Sequence, residues 1–277
     1  MNNEQLNTET KNTNYSRELH EMLLLRFEPI AVKMIENESE VPENAIRPRR
    51  DFKKHMALCQ AFSLARREKK TVYLDKETHW CWNPLIGLGH VDCSVGTEQF
   101  DVVCSVLGME NIDDARVFFE KFPRFPLGKY QGIVTAPLSG CTFEPDVVLI
   151  YSNNAQLRSM LWGIKYKIGK LVSTDLDAID SCVYAIVLPI QTGEYRVTLP
   201  DIGEFERAVA GEDEIIMSVP KGRMDEVISG LHFFHDVTKM GYAQLRRELD
   251  LEFTRPPFYN TLFELWGLDQ GKDWDRH

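Results

Sequence analysis

Apolar and polar positions alternate along this chain in two ways, as short β-branched runs and as stripes at helical spacing. Residues 1–15, rich in Asn, Thr and Glu, read as a mobile leader. Ser16 then caps a stretch in which Leu19, Met22, Leu23 and Arg26 recur helically, so a helix is expected with its Leu and Met side on the core. Pro29 starts PIAVKMI, a buried strand by its composition. Pro42 and Pro48 mark a loop over 36–50, after which a helix is predicted from about Met56 to Arg67 and a strand at TVYL, 71–74. Helical patterning returns over about 97–107 and 111–120, until Pro123 and Pro126 break it. QGIVTAPL and DVVLIYS are the clearest strands, the second apolar enough to be covered on both faces. Asn153 and Asn154 lead from it into AQLRSMLWGIKYKIG, a helix ending at Gly169, which makes half a βαβ unit. Strands are also predicted at CVYAIVLPI, EYRVTL and EIIMSVP, with a helix over about 224–238 and a short aromatic helix in RPPFYNTLFELWGL.

This pattern predicts an α/β fold, a mixed sheet with helices packed on it, with α+β as the alternative. No repeat or long linker divides the chain, so one α/β domain is expected over 16–238, followed by a helical extension over 239–277. The aromatic helix of that extension could dock on the body or join two copies in a homo-oligomer. A length of 277 residues allows one large core or two small ones, and 43% hydrophobic residues are ample for either.

Charge narrows the partners. With 32 Lys and Arg against 42 Asp and Glu, the net charge of −10 repels nucleic acid and anionic membrane surfaces, and neither is expected as a partner. No apolar run nears the roughly 20 residues that span a bilayer, and the N-terminus is polar, so a cytoplasmic location is expected. There Cys59, Cys81, Cys93, Cys104, Cys141 and Cys182 would be reduced thiols rather than a disulfide framework. Against the acidic background, RPRRDFKKH gathers Arg47, Arg49, Arg50, Lys53 and Lys54. This basic island could neutralise a small anionic ligand, or be a solvated loop.

Walker loops, dinucleotide fingerprints, nucleophile elbows, HExxH and CxxC motifs are absent. What stands out is sulfur. Cys59, Cys81, Cys93 and Cys182 could form a thiolate cluster for an iron–sulfur centre or another soft metal, or could be buried small hydrophobes. Cys59 falls in a helix's first turn, where partial positive charge favours a thiolate. His79 and His90 lie near Cys81 and Cys93, which admits a mixed zinc site, although the spacing matches no zinc finger. His232 and His235 read as the polar edge of a core helix, and Cys104 as core. Asn153, Asn154 and Gln156 sit where a strand end meets a helix start, a position suited to ligand binding and equally to helix capping.

Several segments together resemble the bacterial and archaeal domain of unknown function family 169: PIAVKM, CQAFSLAR, HWCWNPLIGLG, FPLGKYQGIVTAPL, PDVVLIYSNNAQ, SCVYAIV, VTLPDIGE and DEIIMSVP, in that order, over roughly residues 16–235. The resemblance singles out Cys59 with Gln60, Cys81 and Cys182. Asn154 replaces the proline of the family's Asn-Pro-Ala-Gln turn, and the following arginine is displaced to Arg158. The family's Gly-Asp-Arg stretch reads Gly203, Glu204, Phe205, so its arginine has no counterpart at Phe205. The leading expectation is therefore a metal or iron–sulfur enzyme. Cys59, Cys81 and Cys182 would be its ligands, Cys93, Cys141 or a substrate atom a fourth contact, and Cys59 catalytic. Arg50, Asn153, Asn154 and Gln156 would place a small anionic substrate. Zinc or no cofactor is the alternative. Two rivals remain: a non-catalytic ligand-binding or regulatory module with structural cysteines, and a single reactive thiol at Cys59 working without metal.

Overall fold

Period-two burial decides the architecture. In the computed structural model, which describes residues 3–237 and 258–267, strands present alternate side chains to two helical layers. In chain order the elements are α1 (Asn3–Leu23), β1 (Ile30–Ile35), α2 (Pro48–Asp51), α3 (Leu58–Glu68), β2 (Val72–Asp75), α4 (Trp82–Gly87), α5 (Glu98–Val106), α6 (Ile112–Glu120), β3 (Gly132–Pro137), β4 (Val147–Ser152), α7 (Asn154–Ile168), α8 (Ser181–Tyr184), α9 (Val187–Thr192), β5 (Arg196–Thr198), α10 (Ile202–Ala208), β6 (Ile215–Pro220) and α11 (Met224–His232). These belong to one unit, residues 1–242; a second unit, 243–277, contains α12 (Phe258–Leu265).

The six strands form one sheet in the order β2-β3-β1-β4-β6-β5, and every neighbouring pair is antiparallel. Ile30, Val32, Met34, Val147, Leu149 and Tyr151 pack on one side with Leu58, Phe62, Phe119, Val183 and Ile186. Ala31, Val148, Ile150, Met217 and Val219 pack on the other with Leu19, Leu23, Met160, Ile164, Val227 and Leu231. The central strand β4 is buried at all six positions, as its unbroken apolar run implies. On the second face α7 and α11 touch backbone to backbone, because a Cβ on Gly163 or Gly230 would collide with the other helix's main chain.

The mixed α/β class holds, with helices on both faces of the sheet, and three details differ from expectation. The half βαβ unit does not close on an adjacent parallel strand: β5 runs in the direction of β4, but β6 lies between them and is antiparallel to both. The run CVYAIVLPI folds as α8 and α9 rather than a strand, with Val183, Ala185, Ile186 and Val187 fully buried. Pro189 explains this, since it lacks the N–H that a sheet ladder needs but is tolerated in the first turn of α9. Residues 3–15, read as a leader, are the first half of α1. Their buried positions are polar and hydrogen-bonded, with Asn12 Nδ2 donating to the carbonyls of Cys141 and Phe143 at 3.0 Å each and Tyr15 Oη donating to Asp225 Oδ1 at 2.6 Å. Ser16 does not cap the helix; it lies within α1 and its hydroxyl bonds Glu28.

Candidate functional site

The first face of the sheet carries four helix starts that gather unusual side chains. Cys59 is the second residue of α3, Cys81 the N-cap of α4, Cys182 the second residue of α8 and Asp201 the N-cap of α10. Local polar contacts fix these starts. Gln60 Oε1 accepts the Ala57 N–H at 3.0 Å, His79 Nδ1 accepts the Cys81 N–H at 3.2 Å, and Asp201 Oδ1 accepts the Glu204 N–H at 2.9 Å. Cys59 and Cys81 share one small cluster with Ala57 and Ala208, and the Cys182 thiol lies close enough to feel both sulfurs. Two thiols distant in sequence therefore pack together, and Cys182 belongs to the main core near them.

Burial governs their ionisation. Desolvation pushes Cys59 up to about 12 despite a donor from Arg207, so the first-turn position does not yield the thiolate expected of it. Desolvation likewise raises Cys81, and it raises Cys182 well above the thiol range, with the charges of Asp201 and the other two sulfurs adding to the effect. Arg207 is the local cation. Its guanidinium folds back over Gly203, where any Cβ would collide with it, and lies 5.0 Å from the centre of the half-exposed Trp80 ring.

Beneath the thiols lies a buried carboxyl network. Ser181 Oγ is 2.7 Å from Glu204 Oε1 and 3.0 Å from Asp201 Oδ2, and Tyr151 Oη donates to Glu204 Oε2 at 2.5 Å. Ser181 has one hydrogen to share between two carboxyls, so a second proton must reside on one of them. Burial raises both Glu204, to about 7, and Asp201, which favours holding that proton within the pair. Asp180, pushed to about 7 by burial and by Asp177, keeps Oδ1 without a partner. Arg66, 4.0 Å from the Tyr151 ring centre and 2.8 Å from Glu214, secures the network from below.

The family model for domain of unknown function family 169, described as uncharacterised ArCR, matches residues 18–230. The chain belongs to this family. A relative, the uncharacterized protein MJ0308 of Methanocaldococcus jannaschii, is 21% identical over 229 residues, covering 82% of this chain and 96% of the relative. No solved structure matches. Of the three cysteines singled out by the family resemblance, Cys59 and Cys81 pack in one small cluster and Cys182 lies in the main core near them.

The other expected site residues lie elsewhere. Cys93 packs with Phe100 and Cys104 in the main core, and its carbonyl accepts from Arg124 Nη1 at 2.8 Å. Cys104 is core as expected, and Cys141 is buried with Sγ 3.3 Å from the Phe143 carbonyl. Arg50 is clamped on Asp51 at 2.6 Å. Arg47 pairs with Glu38 and Arg49 with Glu77, so the three arginines of the basic island are matched by acids, while Lys53 donates to the Arg50 carbonyl. Asn153 and Gln156 form a capping box at the start of α7. Gln156 Nε2 also donates to the carbonyls of Leu23 and Leu24, and Asn154 is exposed. His79 and His90 are held neutral by desolvation, at about 3 and about 4, and their remaining ring nitrogens are buried without partners. His232 bonds Glu18 and Asp236, the polar edge expected of it. Among the described residues no group of three His, Cys, Asp or Glu side chains is arranged to hold a metal ion, and no described helix is long and apolar enough to cross a membrane.

Sequence reasoning missed Arg207, Glu204, Asp201 and Ser181. A signal for the first was present: the family's Gly-Asp-Arg arginine has no counterpart at Phe205, but four residues after Gly203 comes Arg207, one helical turn on, and it reaches back over that glycine.

Proposed function

We propose that this family member is an enzyme whose Cys59, Cys81 and Cys182 hold a soft metal centre, an iron–sulfur cluster or zinc, beside which a small anionic substrate binds. The observation that carries this reading is the packing of Cys59 with Cys81 at two helix starts, with Cys182, at a third, close enough to feel both sulfurs. Thiolate is the ligand type that selects such ions, and metal would replace protons that burial now holds on sulfur. The donor chemistry fits; their side chains would have to turn toward a common centre, and a fourth contact would come from the ligand rather than from Cys93. Bound metal would supply a Lewis acid or an electron carrier.

Anaerobic purification followed by iron, sulfide and zinc analysis tests the reading. Stoichiometric metal is expected in the wild type and in Cys93→Ser, and loss of it in Cys59→Ser, Cys81→Ser and Cys182→Ser. A colourless, metal-free protein of unchanged stability would overturn it.

A metal-free ligand-binding module is the second reading. It is favoured by the absence of a metal-ready triad among the described residues and by Cys59 Sγ lying 3.9 Å from the Gly203 carbonyl, packed as a neutral thiol. On that reading Cys59→Ser produces only a modest packing loss. Self-association through α12 is proposed from its exposed Phe258, Leu265 and Trp266, and sedimentation of Trp266→Glu against the wild type checks it.

A further inference from the structure

We infer that Arg207 is the receptor for the carboxylate of a small ligand whose other end meets the thiols of Cys59 and Cys81. This rests on the proposed ligand role of that cluster and names the substrate class and the residue that reads it.

The inference starts from an imbalance among the arginines. Each other described arginine that is at least partly buried meets protein oxygen. Arg47 pairs with Glu38, Arg66 with Glu214, and Arg223 with Glu194 and Glu226. Arg67 donates to the Val209 carbonyl, Arg124 to the carbonyls of Cys93 and Phe119, and Arg196 to that of Asp175. Arg207 differs. Among the described residues its neighbouring acceptor is the sulfur of Cys59 and no carboxylate lies within ion-pair distance; its buried Nε has no partner, a state shared with the Nε of Arg67 and Arg196, whose other nitrogens do reach oxygen. In a chain with 42 acidic residues, a shortage of carboxylates cannot be the cause. Asp201 is close by, but its oxygens are taken by the Glu204 N–H and by Ser181.

A guanidinium offers five N–H donors in a rigid plane, and leaving the buried Nε–H of Arg207 unpaired is unfavourable. The geometry that satisfies two of them at once is a carboxylate bound side by side. Gly203 gives the group room to lie flat, Trp80 holds one of its faces, and the half exposure of Trp80 puts this end of the cluster beside solvent. Ala57 and Ala208 surround the sulfurs of Cys59 and Cys81 with small side chains, the least bulk that an entering ligand would have to displace. A tetrahedral oxyanion can meet the fork in the same bidentate way, so sulfate is the competing occupant that the test has to separate.

The test titrates anaerobically purified full-length protein with acetate, thioglycolate and sulfate, followed by calorimetry and tryptophan fluorescence. Saturable binding of both carboxylates is expected, thioglycolate tighter than acetate and sulfate weakest. Arg207→Gln should weaken acetate by about tenfold or more, as loss of charge-assisted hydrogen bonds implies. Arg207→Lys keeps the charge without the fork and should lose the preference for acetate over sulfate. Circular dichroism and melting confirm that each variant is folded. Wild-type protein that binds neither carboxylate saturably, Arg207→Gln that binds acetate as well as the wild type, or Arg207→Lys with unchanged selectivity would each overturn the inference. Metal analysis on the same samples separates the two readings: carboxylate binding without metal removes the metal centre and leaves Arg207 as receptor, whereas metal without carboxylate binding removes Arg207 alone.

Discussion

The start of α7 and the thiol cluster are both places where helix starts present polar side chains, and they differ in how those side chains are used. At α7, Asn153 accepts from two backbone N–H groups and Gln156 bonds one more N–H and two carbonyls of the chain leaving α1. These polar groups are spent on the fold. Around the thiols, Arg207 Nε and Asp180 Oδ1 have no partner, two carboxyls face one hydroxyl, and three sulfurs are held protonated by burial. Folded proteins satisfy nearly all buried polar groups, so a concentration of unsatisfied ones is a better pointer to a ligand than polar residues at a favoured topological position.

The contrast can be broken or sharpened by measurement. The largest effect belongs to Arg66→Ala beneath the thiol network, which strips the buried Glu214 of its cation. Urea denaturation should show a loss of about 3–5 kcal/mol.

Next come two opposite pH dependences. Glu204 ionises near the usual 4.5 when unfolded but near about 7 when folded, so its contribution is full below 4.5 and is lost as pH rises through 7. Glu28 lies against α1. Burial alone would raise it, but hydrogen bonds from His20, Ser16 and Ser139 prevail and hold it at about 2, so its contribution is present above 4.5 and lost as pH falls toward 2. Glu204→Gln should therefore flatten the decline in melting temperature between pH 4.5 and 7, only in part because Asp180 acts in the same direction, while Glu28→Gln should flatten the decline below 4.5.

Gly230→Ala, forcing a Cβ into the main chain of Gly163, should destabilise by about 1–3 kcal/mol in urea and leave the thiol face untouched, read as unchanged metal content. The smallest effect is expected from Asn153→Ala. Loss of the cap should amount to about 1 kcal/mol by thermal melting, with acetate affinity unaltered. A tenfold change in that affinity would return α7 to the list of ligand sites.

Much of the fold was legible because it rests on local periodicity. The runs at 30–35, 132–137 and 147–152 are strands, and the stripe after Asn153 is a helix ended by Gly169 with φ 66°. The errors came where tertiary contacts overrode pattern: polar residues of α1 buried through hydrogen bonds to residues more than a hundred positions away, and a β-branched run turned helical around Pro189. Of the site, the cysteines carried a signal of their own, and two of the three that the family resemblance singled out, Cys59 and Cys81, pack together. Cys93, Arg50, Asn154 and the capping pair looked similar in one dimension and were separated only by their neighbours.

By itself, then, the sequence determined the strands, most helices, the acidic surface and the identity of the thiols, because these follow from residue type and spacing along the chain. Only in the folded chain do Cys59 and Cys81 pack together with Cys182 near them, does burial raise all three thiols, and does Arg207 face Cys59 with no ion-pair partner among the described residues. Desolvation and hydrogen-bond satisfaction are properties of a side chain's surroundings in space, and those are fixed only when the helix starts come together on one face of the sheet.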